Sequence, residues 1–222
     1  MAYYILKSYK LKVSPFAIFE ALKDRRHCFF LDSSLNAHPL GRYSFLGIEP
    51  FSVLETKKQN PFPKLREILG KYRISLSKNN PPFLGGALGY FSYDLGLRLE
   101  KKVRLKAKPD LDIPDCFFGF YNTIVIIDQL KKLLYIFSVG FPETNYRLQK
   151  SLCESNFKKI CKLLSKIDDA DLHKSNADKR RFYHQENLQS NFSKEDYISA
   201  IKKAKSYIRN GDIYQVNLSQ EF

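Results

Sequence analysis

The sequence has no tryptophan, only four cysteines and four histidines, far fewer acids than bases, and no long apolar run. Cys28, Cys116, Cys153 and Cys161 include no C-x-x-C pair, and His27, His38, His173 and His184 are scattered, which excludes a zinc site read from spacing. Four cysteines in 222 residues do not make a disulfide framework and are simplest in a reducing compartment. No stretch approaches the length of apolar chain that spans a bilayer. The opening residues, MAYYILKSYKLK, lack the basic-then-apolar layout of a signal peptide. A cytoplasmic protein with no membrane role is therefore expected.

What is present is ordinary for a folded chain. Hydrophobic residues make up 44%, and 18 Phe and 14 Tyr supply an aromatic share of 14%. That excludes a wholly disordered chain. Lys+Arg number 37 against 23 Asp+Glu, a formal charge of +14. The imbalance keeps nucleic acid and anionic substrates among the candidate partners, with a lysine-rich background as the plain alternative. The basic clusters at 101–108, 179–181 and 202–205 fall on three different elements, so a nucleic-acid role is set aside.

The chain reads as several strands and few helices, a sheet-rich α+β fold. Strands are expected at 2–7, 27–33 (HCFFLDS), 43–46, 51–55, 84–93, 116–127 and 133–139. Ser14-Pro15 opens a short helix to Leu22, and Asn60-Pro61 precedes a second at 64–72. A turn or short helix is expected over 94–100. Residues 145–167 place Leu148, Leu152, Ile160, Cys161, Leu164 and Ile167 at helical spacing. Composition turns polar over 168–191, read as a linker. Ser193 caps a further helix, with Asp196 three residues on and Gly211 at its end. Tyr197, Ile201, Ala204 and Ile208 share one face of it. Tyr214, Val216 and Leu218 then alternate with Gln215, Asn217 and Ser219, the pattern of a strand.

Motif chemistry is sparse. Gly85-Gly86-x-x-Gly89 lacks the GK[ST] of a P-loop and lies within an apolar strand, where glycines let backbones approach. FFGFYNTIV at 117–125 has Phe118, not a base, before Gly119, so it reads as aromatic core rather than an RNA-binding strand. Ser33, Arg42 and Tyr43 flank a loop containing Asn36, His38 and Pro39. A hydroxyl and a planar guanidinium there could bind a carboxylate, and a capped turn with an exposed arginine is the alternative. No catalytic constellation can be nominated from these residues.

Four segments in order carry a resemblance: FFLDSSLNAHPLGRYSFLG (29–47), PPFLGGALGYFSYDLG (81–96), IPDCFFGFYNTIVIID (113–128) and SKEDYISAIKKAKSYIRNGDIYQVNLSQEF (193–222). Together they resemble the chorismate-utilising enzymes, which include anthranilate synthase component I and para-aminobenzoate (aminodeoxychorismate) synthase component I. Tyr214-Gln215-Val216-Asn217-Leu218 is similar to the Y-Q-V-N-L segment of the para-aminobenzoate branch; anthranilate synthases usually carry an apolar residue where Asn217 stands. The resemblance implies an enzyme that takes chorismate, Mg²⁺ and ammonia to 4-amino-4-deoxychorismate for folate synthesis, with ammonia from a glutamine amidotransferase subunit. Anthranilate synthesis, or a non-catalytic amino-acid-binding module, are the alternatives.

The family's catalytic, metal-binding and carboxylate-binding residues would lie beyond position 222, so none is carried onto this chain and no metal is expected on it. Ser33, Leu40, Gly41, Arg42 and Tyr43 match part of the family's tryptophan pocket. The implied organisation is an N-terminal domain over 1–167, a linker over 168–192, and the start of a chorismate-binding catalytic domain over 193–222. The implied fold is antiparallel sheets covered by helices with the second half absent. Its unpartnered apolar sheet surface predicts low solubility or a separate C-terminal chain.

Overall fold

The structure is a computed structural model that describes residues 2–33, 35, 38–75, 77, 79–100, 113–167 and 190–220. The basic loop 101–108 and the linker residues 168–189 lie outside the described residues. The contact pattern divides the chain into two units, Met1–Leu172 and His173–Phe222.

The first unit is built on alternation and dense β-branched runs. Its strands are β1 (Tyr4–Lys10), β2 (Phe29–Leu31), β3 (Tyr43–Gly47), β4 (Ser52–Thr56), β5 (Gly86–Phe91), β6 (Cys116–Tyr121), β7 (Thr123–Asp128) and β8 (Leu133–Val139). They form a five-stranded sheet, β1-β8-β7-β3-β2, and a three-stranded sheet, β4-β6-β5, with antiparallel pairing throughout. The sheet-rich α+β architecture expected from the sequence is thus the one observed.

One expectation changes in an informative way. Residues 116–127 read as a single strand, but the chain leaves the small sheet at Tyr121 and enters the large one at Thr123. Asn122 makes the crossing. Its Nδ2 donates to the Phe141 carbonyl at 2.6 Å, and its Oδ1 accepts from the Thr123 hydroxyl at 3.2 Å. A continuous apolar run cannot reveal the break, because both strands are buried and both need the same residue types.

Four helices belong to this unit among the described residues: α1 (Pro15–Leu22), α2 (Phe62–Lys71), α3 (Tyr93–Leu99) and α4 (Tyr146–Leu164). Ser14 caps α1 by accepting from the Ala17 N–H at 3.1 Å, and Asn145 caps α4 by accepting from Arg147 and Leu148. Ile18 and Leu22 of α1 and Phe157 and Ile160 of α4 pack on one face of the large sheet, against Leu46, Val125, Ile127 and Ile136. The other face buries Phe29, Ile124, Ile126, Phe137 and Val139. Every residue of β7 is buried, as a strand covered on both faces requires.

The second unit contributes α5 (Lys194–Asn210). Ser193 Oγ accepts from the Asp196 N–H at 3.0 Å, and Gly211, at φ 81°, ends the helix with Asp212 N–H bonded to the Tyr207 carbonyl at 3.0 Å. No residue of α5 is buried. The strand expected at the chain's end is not formed: 213–220 carry no strand, and Tyr214 is 91% exposed. Alternation marks a strand only where a partner supplies the ladder, and this unit holds no strand among its described residues. No helix among the described residues is long and apolar enough to cross a membrane.

Candidate functional site

Between β2 and β3, Ser33 and Arg42 lie against the end of β7, where several of the polar groups singled out in the sequence gather. Ser33 Oγ donates to the Tyr43 carbonyl at 2.8 Å, and the Ser33 N–H donates to Ser44 Oγ at 3.2 Å. Ser44 Oγ donates in turn to Asp32 Oδ1 at 2.8 Å. Gln129, just past β7, donates from Nε2 to the Ser33 carbonyl at 2.8 Å and to Ser44 Oγ at 3.1 Å. Ser44 and Gln129 are buried, while Asp32 is exposed.

The turn Pro39–Gly41 is capped by His38, whose Nδ1 accepts from the Leu40 N–H at 3.2 Å. A side chain at Gly41 would meet the Leu35 carbonyl oxygen at 2.1 Å, so the tight loop requires glycine. Leu40 projects outward at 88% exposure.

Arg42 is neither an exposed arginine nor a free anion binder. Its Nε lies 3.0 and 3.1 Å from the two carboxylate oxygens of Asp128, and Nη2 lies 2.6 Å from Oδ2. The guanidinium also sits over the Tyr43 ring, 4.7 Å from its centroid. Hydrogen bonding to Asp128 raises the Arg42 pKa against the opposing effect of burial. For Asp128, burial alone would raise the pKa, but the hydrogen bonds from Arg42 and the Lys131 N–H, with both charges, hold it below the ordinary carboxylate value.

Of the five residues named from sequence, the structure joins Ser33 and Tyr43 in one network, seats Arg42 on Asp128, uses Gly41 in the turn and leaves Leu40 in solvent. Asp32, Ser44, Asp128 and Gln129 escaped the sequence reading. Asp32 and Ser44 flank residues that were chosen, but Asp128 and Gln129 lie 86 and 96 residues from their partners and give no local signal. The cluster can orient a loop and present a carboxylate and hydroxyls. Ser33 Oγ donates to a backbone carbonyl, and the hydroxyl that does donate to a carboxylate, Ser44 Oγ on Asp32, is buried.

Among the described residues no group of three His, Cys, Asp or Glu is placed to hold a metal ion. Asp128 is committed to Arg42. The other buried carboxylate, Asp115, accepts from the Lys58 N–H at 2.6 Å and pairs with Arg98 at 3.1 Å. The magnesium implied by the resemblance does not fit these residues.

The glycine motif is structural. At Gly89 an added Cβ would lie 1.8 Å from the Phe117 carbonyl oxygen, so β5 and β6 approach there only without a side chain. Phe120 and Tyr121 of the aromatic stretch are buried in the core.

A model of the family described as chorismate binding enzyme matches residues 26–222. The chain belongs to that family. Among curated relatives of this chorismate-binding enzyme family, Anthranilate synthase component 1 of Acetivibrio thermocellus is 31% identical over 93% of this chain and 45% of its own length. Aminodeoxychorismate synthase component 1 of Escherichia coli (strain K12) is 26% identical over 92% of this chain and 44% of its own. Among solved structures, anthranilate synthase component I from Streptococcus pneumoniae TIGR4 aligns with a TM-score of 0.47 and 16% identity, over 82% of this chain and 46% of that one. The chain thus spans less than half the length of the curated relatives it matches.

Proposed function

We propose that the chain is the N-terminal part of an aminodeoxychorismate synthase component I-like protein, which converts chorismate and ammonia to 4-amino-4-deoxychorismate. The observation that carries this reading is Y-Q-V-N-L at 214–218, with Asn217 where the anthranilate branch is apolar, in a chain that belongs to the chorismate-binding family. A glutamine amidotransferase subunit would deliver the ammonia; the matched relatives are themselves named component 1. The catalytic residues and the Mg²⁺ site are proposed to lie in the part of the family that this chain does not cover.

In this reading the first unit is scaffold. Ser33, Leu40, Gly41, Arg42 and Tyr43 form one wall of a tryptophan-like pocket, with Arg42 acting through its hold on Asp128 rather than by touching the ligand. Val53 and Tyr90, exposed at 37% and 40%, provide apolar surface for a complementary half of the synthase.

Assayed with chorismate, Mg²⁺ and ammonium, the 222-residue chain by itself forms no product in this reading; turnover by the pure chain would overturn it. A second reading, the anthranilate branch, is favoured by the 31% identity to an anthranilate synthase component 1. Expressing the chain together with whatever its gene encodes after Phe222 separates the two. Formation of 4-amino-4-deoxychorismate supports the first, and fluorescent anthranilate supports the second.

A further inference from the structure

Two neighbouring cavities beside the end of α2 share Tyr72 and Phe141, and neither is lined by the Ser33 cluster. The inner chamber, about 170 Å³, is apolar. Three aromatic rings line it: Phe51 and Tyr72 meet edge to face at 5.1 Å and 80°, while Tyr72–Phe141 at 5.1 Å and Phe51–Phe141 at 6.5 Å are tilted. Ile74 and Leu84 close its sides. Gly85 and Gly86, at φ 116° and 126°, add bare backbone to the wall, a conformation that side chains rarely adopt.

The outer chamber, about 450 Å³, shares Tyr72 and Phe141 with the inner one and is mixed, with charged side chains in its lining. Lys71, Arg73 and Glu143 line it, and none of the three takes part in an ion pair among the described residues. Lys71 lies over the Tyr72 ring, 5.4 Å from its centroid, at the junction of the two chambers. Gln149 fixes the far wall, donating to the Glu143 carbonyl at 2.6 Å and accepting from the Tyr3 N–H at 3.2 Å.

We propose that this cleft binds a small aromatic carboxylate, with the ring among Phe51, Tyr72 and Phe141 and the carboxylate at Lys71 and Arg73. The inner volume decides the ring: an apolar cavity of about 150 Å³ stays dry and takes up benzene. Three aromatic rings around one cavity favour a planar π-system over an aliphatic chain of equal volume. The two cations outnumber the one acid beside them, and the arginine fork matches a carboxylate. Glu143 leaves room for a ligand that also carries an ammonium group.

The test uses the full 222-residue chain, followed by titration NMR and thermal midpoint, with benzoate as probe and benzyl alcohol and acetate as controls. Benzoate binds saturably, and each control is weaker by about fivefold or more, because each lacks half of the recognised group. Arg73→Gln, at an exposed position, weakens benzoate about fivefold and leaves benzyl alcohol unchanged. Ile74→Trp fills the inner chamber and removes binding of both ring ligands. The proposal is overturned if benzoate shows no saturation by about 20 mM, if acetate binds equally well, or if Arg73→Gln leaves benzoate unaffected. None of these readouts involves chorismate, so they stand or fall separately from the synthase reading.

Discussion

Replacing Asp128 with asparagine tests whether the Arg42 pair holds the β2–β3 loop to the large sheet. Asp128 is wholly inaccessible and accepts from Arg42 and from the Lys131 N–H at 3.0 Å. Asn keeps the shape, removes the charge and points an N–H at the guanidinium. Hydrogen bonds to a charged group contribute about 1.5–3 kcal/mol, and breaking a buried pair costs about 3–5 kcal/mol. Here the Arg42 side chain is 29% exposed, so the stranded cation recovers hydration. The loss should therefore fall near 2 kcal/mol at pH 7.

The pH dependence supplies a second check. The folded pKa of Asp128 is lowered, so its stabilisation is complete above the unfolded value of about 3.9 and is lost as pH falls through the folded value. Urea unfolding of the parent and Asp128→Asn chains, followed by circular dichroism at pH 7 and at about pH 3, should show a large difference that shrinks in acid. Equal stability at pH 7, or a difference indifferent to acid, would refute the reasoning.

Three further outcomes are expected. Gly140→Ala places a Cβ 2.2 Å from the Gln149 backbone oxygen, where α4 crosses the end of β8; no rotamer relieves it, and a loss of about 3 kcal/mol should appear as a lowered thermal midpoint. Tyr121, buried and donating to the His27 carbonyl at 2.7 Å, has its phenol pushed up to about 12 by burial first and the Cys28 charge second. Its contribution is complete below the unfolded value of about 10 and lost as pH rises through the folded value, so ultraviolet titration should lose its latest-ionising tyrosine in Tyr121→Phe and that variant should unfold less steeply in alkali. Ser193→Ala removes the cap of α5 and should cost about 1 kcal/mol of helix stability, read as lower helicity in a peptide spanning 190–212; unchanged helicity would show that the cap contributes nothing.

Much of this protein was legible along the chain because the causes are local. Ser14 and Ser193 cap helices with their own hydroxyls, Gly211 adopts the left-handed turn, and the β7–β8 hairpin follows from two apolar runs around Asp128-Gln129. Family membership was legible too, since it rests on segments quoted from the sequence. Tertiary structure alone decided where Asn122 hands one apolar run to two different sheets, because burial looks the same in either sheet. It also decided that Arg42 pairs with Asp128, 86 residues away. Residues 213–220 show the converse: their alternation is complete in the sequence, yet a strand forms only against a second strand, and pairing is a property of the assembly rather than of the segment.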